Sequence, residues 1–270
     1  MPFRHSAGDS WGREMRSVPS YGIRSSRTAA NAGVRLTART YGKARIGTFA
    51  EKASGHITVD SDAERMVSHI LSVDPRVRSF KPQPFTVDLG RETLLFTREE
   101  VSEARKSRGS RTGEMEYTPD FGTLQIDGFQ LVYEVKRQGY AGDQKYWAKV
   151  ERAQEIITAH GYQFFTVVVP ANERHPLIVN AQLLKPAIVR GRQHLTQYII
   201  DRVEGYCESG PVLQQALCAD LQISTGLIPP LLAAGVLQAD IAHHQICSTL
   251  ELSAGYGNLS HLCLIEGLQS

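Results

Sequence analysis

The dipeptide Asp127-Gly128 stands between two runs rich in β-forming residues, one leading in through "YTPDFGTLQI" and the other leading out through "FQLVYEVK". An Asp-Gly pair flanked in this way is a strong hairpin indicator, because the tight turns that join antiparallel strands need positive φ. A turn at 127–128 makes residues face each other when their numbers sum to about 255, so Asp120 comes opposite residue 135, within a position or two. Glu134 and Lys136 alternate along the outgoing strand and share one face. The expectation is two carboxylates converging at the end of a hairpin, with an ammonium on the same face.

A charge buried on a strand is costly unless it is paired or holds a metal ion. Two readings of Glu134 and Lys136 follow. One is an exposed edge face carrying an ordinary ion pair. The other is a buried site, favoured by the nearby continuous apolar run "YQFFTVVVP", which predicts a strand covered on both faces. Paired carboxylates suit Mg2+, which takes oxygen ligands and keeps several waters. A Lys beside them can orient or deprotonate a water, or hold a phosphate, while the metal neutralises charge as a phosphodiester opens in line.

The surroundings supply a sheet. "SDAERMVSHILSVDP", 61–75, predicts a helix capped by Ser61 or Asp62, with Met66, Val67, Ile70 and Leu71 as its apolar stripe. "VRSFKPQPFTVDL" predicts an edge or bent strand because of its prolines, and "ETLLFT" a partner for it. The stretch "REEVSEARKSRGSRTGEME" sets Arg105, Lys106, Arg108 and Arg111 among Ser and Gly and predicts a basic loop centred on 103–115. A helix over 143–160 follows, then the apolar strand. Helix, strands, helix, strand describes an α/β or α+β sheet domain.

Charge is distributed unevenly. Residues 1–50 hold nine Arg and Lys against two acids, a net +7, and the remaining 220 residues hold 21 against 26, a net −5. This arm is Ser- and Gly-rich with little apolar periodicity, so it cannot bury enough surface to offset its ordering entropy. A solvated tail and an anionic partner both fit it. An Arg-rich, acid-poor start also describes a transit peptide, but nothing in it resembles a cleavage boundary. No apolar run approaches the roughly 18 residues of a membrane span. Cys207, Cys218, Cys247 and Cys263 form no CxxC pair, and with His243 and His244 they match no common zinc spacing, so reduced, mostly buried thiols in a cytoplasmic protein are expected.

The last hundred residues predict helices in "RGRQHLTQYIIDRVEGYC", "GPVLQQALCADLQIS" (capped by Ser209, Pro211 early) and "TGLIPPLLAAGVLQADI" (ending at Gly235). "VLQADIAHHQICSTLEL" then predicts a hairpin with His243 and His244 near its tip. Three helices and a hairpin form a winged-helix pattern. Its second motif helix, which would enter a DNA groove, carries no Arg or Lys, so a protein-interaction or architectural role is favoured over reading DNA.

Pro119-Asp120 followed by Glu134-Val135-Lys136 resembles the PD-(D/E)xK nuclease motif. Together with "VDPRVRSFKPQPFTVDL", of the form "DP.V..F..QP", and with "YTPDF" and "YEVK" in order, the chain resembles the TnsA-type transposon endonucleases over roughly residues 60–170. The resemblance implies a restriction-endonuclease-like sheet domain over 59–172, followed by an α-helical winged-helix-like domain over 173–270, with the basic arm as 1–58. It implies that Glu64, Asp120 and Glu134, with the backbone carbonyl of Val135, hold Mg2+ (or Mn2+), that Lys136 serves the nucleophile, and that Gln83 shapes the site. For Glu64 a helix-capping role is the competing reading. DNA contacts are expected from Arg39, Lys43, Arg45, Arg105, Lys106, Arg108, Arg111 and Lys145. The implied activity is hydrolysis of the strand at the 5′ ends of a transposon, in a bacterial cytoplasm and on the nucleoid. The implied partners are double-stranded DNA, a DDE-type transposase and an ATP-dependent regulator. A stand-alone restriction or repair nuclease, and a catalytically silent DNA-binding adaptor, are the alternatives.

Overall fold

The hairpin closes around Asp127-Gly128 with a three-residue loop, 126–128, one residue longer than the expected two-residue turn, because Gln125 N donates to the Phe129 carbonyl at 2.8 Å. Gly128 takes φ +93°, its N–H donates to the Gln125 carbonyl at 3.1 Å, and the Asp127 carboxylate accepts from Phe129 N at 3.1 Å. The computed structural model describes residues 33–35, 45–109 and 115–269. They form two compact units. The first takes the described parts of Met1–Arg65, Val77–Lys136 and Tyr140–Val167, and the second takes Met66–Arg76, Arg137–Gly139 and the described part of Val168–Ser270.

The first unit opens with a hairpin, β1 (Ile46–Ala50) and β2 (Gly55–Val59), antiparallel with Ile46 opposite Val59. Ile57 and Val59 are fully buried, so the stretch up to 58 is not wholly the poorly packed arm its composition predicts. Helix α1, Asp62–Val73, starts here. The proline-bearing stretch gives two strands rather than one: β3 (Val77–Pro82) and β4 (Thr86–Asp88) lie in different sheets, separated at Gln83, which takes φ +45°. β4 pairs with β5 (Thr93–Leu95), as expected from "ETLLFT".

Residues 110–114 of the predicted basic loop lie outside the described residues, and up to Arg108 it is instead helix α2, Arg98–Arg108. Thr97 caps it in a reciprocal box with Glu100, and Gly109 ends it at φ +63°. Val101 and Ala104 are its buried face. After it come β6 (Glu116–Tyr117), beside β4, and then β7 (Phe121–Gln125) and β8 (Gln130–Arg137) of the hairpin. The hairpin pairs Phe121 with Tyr133 and Leu124 with Gln130, a sum of 254 and one position from the expected register. Helix α3, Gln144–Ala159, follows, with the Asp143 carboxylate accepting from Tyr146 N at 2.6 Å. Then comes β9, Gln163–Val169.

The larger sheet runs β3-β7-β8-β9 and the smaller β5-β4-β6. Strand β9 is therefore at a sheet edge, and its Phe164, Phe165 and Thr166 are only half-buried; its apolar run does not mark a strand covered on both faces. Phe85, Val87, Tyr117 and Val132 meet Val150, Ala153, Ile156 and Ile157 of α3 in one core. At about 25 cal/mol per Å2 of apolar surface, such side chains contribute roughly 1.5–3 kcal/mol each.

In the second unit, helix α4 (Pro176–Arg190) has no counterpart in the sequence reading. Its Asn180 is fully buried and fully used: Nδ2 donates to the carbonyls of Ile241 at 2.8 Å and His244 at 2.7 Å, and Oδ1 accepts from Ile246 N at 2.9 Å. Helix α5 is Gln197–Cys207, capped by Thr196. The second predicted helix starts later than Ser209, because Val212–Leu213 is a short strand, β10, and the helix proper, α6, is Gln214–Asp220. Helix α7 spans Ile228–Ala233. The predicted hairpin is present as β11 (Leu237–Gln238) and β12 (Glu251–Ala254), which place His243 and His244 in the connecting loop. A three-stranded sheet, β10-β12-β11, joins these elements. The four cysteines are free thiols, Cys247 exposed and Cys207 and Cys218 buried. Among the described residues no single helix is long and apolar enough to cross a membrane.

Candidate functional site

Asp120 sits where the chain enters β7, and three backbone bonds fix it. Its N–H donates to the Tyr133 carbonyl at 3.1 Å, its carbonyl accepts from Gln83 N at 2.8 Å, and its Oδ2 accepts from Val135 N at 2.7 Å. The last bond crosses the hairpin and sets the carboxylate against the strand that carries Glu134 and Lys136. Glu134 is buried on an inner strand, which removes the exposed-edge reading of its charge. Its Oε2 accepts from the Tyr117 hydroxyl, and its Oε1 accepts from the Tyr146 hydroxyl and from Lys136 Nζ. The Lys136 ammonium also lies over the rings of Tyr140, 4.8 Å from the centroid, and Tyr146, at 4.6 Å.

The electrostatics follow from burial. Burial pushes the Asp120 carboxyl well above the usual carboxylate range. The neighbouring charges of Glu134 and Glu64 push the same way, and the Val135 N–H and the Lys136 ammonium oppose them. Burial also raises Glu64, opposed by its hydrogen bonds from Asp60 N and Ser61. The Tyr117 phenol is pushed up by burial and then by Glu134, so it stays a donor to that carboxylate; Tyr146 behaves alike.

Glu64 lies on α1 and caps it: Oε2 accepts from Asp60 N at 3.0 Å, Oε1 from the Ser61 hydroxyl at 2.8 Å, and Ser61 Oγ accepts from Glu64 N at 3.2 Å. The capping geometry is thus realised, and the same carboxylate is near enough for its charge to raise Asp120. Gln83 meets the site through its backbone, while its Nε2 donates to Asp60 Oδ2 at 2.9 Å and its buried Oε1 finds no donor among the described residues. Asp60 itself, a residue the sequence does not single out, also faces Arg35 at 3.4 Å and Arg45 at 3.7 Å.

Asp120, Glu134 and the Val135 carbonyl are oxygen donors of the kind Mg2+ takes, and one or two carboxylates suffice for that ion. A buried acid raised by its carboxylate neighbours, as Asp120 is, is the condition a cation relieves. Among the described residues no three His, Cys, Asp or Glu side chains form a metal-holding group, so Glu64 does not complete one here.

The expected DNA contacts divide. Arg105 and Arg108 are internal: Arg105 grips Glu116 through Nε at 2.9 and 3.0 Å and Nη2 at 2.6 Å, while Arg108 spans Glu116 at 2.5 Å and Asp88 at 2.6 Å. Helix α2 turns both towards β4 and β6, and their charges are not open to phosphate. Lys106 and Lys145 are exposed, and Arg45 is exposed beside Asp60. Arg39, Lys43 and Arg111 lie outside the described residues.

Tyr117 and Tyr146 are the site residues that sequence reasoning missed. Tyr117 lies three positions before Asp120 in "YTPD", and Tyr146 stands on α3, where only the fold brings it to Glu134. No protein-family model matches this sequence, and no curated protein matches it significantly.

Proposed function

We propose that this chain is a Mg2+-dependent DNA endonuclease of the TnsA type, the subunit of a heteromeric transposase that hydrolyses the strand at the 5′ ends of a transposon. The observation that carries the reading is Asp120, buried and bonded across the hairpin to Val135 N, beside a buried Glu134 and the Lys136 ammonium. The order α1, antiparallel β3-β7-β8, α3, β9 supports a restriction-endonuclease-like layout. Helices α5, α6 and α7 with the β10-β12-β11 sheet support a winged-helix-like second domain. Helix α7, almost wholly buried and without Arg or Lys, argues against DNA reading there.

Asp120, Glu134 and the Val135 carbonyl would hold Mg2+, which when bound supplies an activated water and neutralises charge on the phosphate. Lys136 holds the scissile phosphate or orients the water. Tyr117 and Tyr146 keep the Glu134 carboxylate from turning. With no basic reading helix, sequence choice falls to a DDE-type transposase partner, and activation to an ATP-dependent regulator.

The test is cleavage of a labelled transposon end with Mg2+ or Mn2+, with and without the transposase. Asp120→Ala and Lys136→Ala should abolish cutting while the folded state persists. Wild-type rates in both variants would refute the nuclease reading. Efficient site-specific cutting by the purified chain alone would favour a stand-alone restriction-type enzyme.

A further inference from the structure

Beside the site lies an aromatic group that the hydrolytic step does not use. Tyr140 is 49% exposed. Its ring meets Tyr146 edge-on at 5.8 Å and 79°, and Trp147 at 6.2 Å and 71°. Tyr146 and Trp147 meet each other at 5.3 Å and 75°. The loop that carries Tyr140 is fixed without it: Trp147 Nε1 donates to the Ala141 carbonyl at 2.7 Å, and at Gly142, with φ +61°, a Cβ would come within 2.6 Å of that same nitrogen. Trp147 therefore staples the loop to α3, and the open half of Tyr140 serves no packing need.

Position gives the ring its meaning. Lys136 Nζ lies over it, and Tyr146, its edge-on neighbour, bonds Glu134. An exposed ring with a cation over one face is a combination that takes a nucleotide, the base on the face opposite the ammonium and the phosphate reaching the ammonium past the ring edge. A fixed ring also avoids the ordering cost that a mobile one would incur on binding. We propose that Tyr140 is a stacking platform for a nucleobase next to the scissile phosphate. The base must leave the duplex stack to reach it, so the site takes a strand that is unpaired or frayed at the cut. This rests on the nuclease reading, and it adds a substrate requirement that the acids and the lysine do not impose.

The test uses the full chain with Ca2+ in place of Mg2+ to hold back cleavage. The probes are a thymidylate oligonucleotide carrying one 2-aminopurine, and a fully paired duplex, each followed by fluorescein anisotropy and by 2-aminopurine emission. Wild type should bind the single strand with quenched emission. Tyr140→Phe should do the same. Tyr140→Leu, which keeps apolar bulk and loses the π-face, should lose the quench and bind the single strand about tenfold more weakly, with duplex binding unchanged. Melting of the three proteins should coincide, which separates stacking from folding. Equal quenching and affinity in Tyr140→Leu would overturn the platform. Wild-type binding to duplex but not to single strand would overturn it too and leave the nuclease reading intact. Binding to neither probe would overturn the platform, while the nuclease reading is decided by the cleavage assay with the transposase present.

Discussion

Arg108→Ala separates a structural arginine from a DNA-binding one. Asp88 and Glu116 lie opposite each other across the β4–β6 pair, two like charges that repel. Their side chains are 0% and 5% exposed, and the Arg108 guanidinium, 16% exposed, spans both. The contact with Asp88 is an ion pair out of hydrogen-bonding alignment, since Asp88 Oδ2 has no hydrogen-bond donor among the described residues and Oδ1 accepts from Gly90 N and Arg91 N, both at 3.1 Å. Removing one partner of a buried pair costs about 3–5 kcal/mol. Arg105 remains on Glu116, and the two backbone donors remain on Asp88, which points to the lower end. About 3 kcal/mol lowers Tm by roughly 6–12 °C for a protein of this size. The assay is thermal melting by circular dichroism at low and high salt. The loss should hardly change with salt, because a buried pair is weakly screened. Lys106→Ala, two residues away on the exposed face of the same helix, should stay within about 0.5 kcal/mol of wild type. Arg108→Met with Asp88→Asn should recover part of the loss. An Arg108→Ala protein that melts within about 2 °C of wild type and binds DNA poorly would refute this account and return Arg108 to the DNA surface.

Two further outcomes follow. Asp120 titrates above its ordinary value of 3.8 when folded, so its contribution to stability is fully present below that pH and is lost as pH rises through the folded value. In metal-free protein the Tm of Asp120→Asn should therefore gain on wild type as pH climbs from about 4, and a Tm gap that does not change with pH would contradict it. Asn180→Leu strands two carbonyls and an N–H in the second unit; it should cost about 2–4 kcal/mol in chemical denaturation, and a loss under about 1 kcal/mol would show the three bonds to be dispensable.

What the sequence made legible was local. The Asp127-Gly128 signal places Asp120 against Val135 within one position, since a short loop, three residues long here, leaves little freedom of register. Helix α2 was hidden by composition: Arg, Lys, Ser and Gly look like loop, although Thr97 and Glu100 already stood at capping-box spacing. Helix α4 was obscured by Pro176 at its first turn and Pro186 within it. Arg105 and Arg108 looked like phosphate ligands because their acids, Asp88 and Glu116, sit on strands whose pairing no local pattern announces. Tyr146 belongs to the site only through the packing of α3 on the sheet.

The hairpin also acts as a ruler. Everything that defines the acid pair is measured outward from one turn: Gly128 at φ +93° fixes the loop, the loop fixes the register, and the register decides which face Glu134 and Lys136 occupy. Side chains on a strand alternate strictly, so a single residue gained or lost on one arm would carry both charges through the sheet to the opposite face, away from Asp120. The tip of the hairpin touches none of the acids. A one-residue insertion or deletion within either strand, between the tip and those acids, would nevertheless erase the site as completely as deleting the acids themselves.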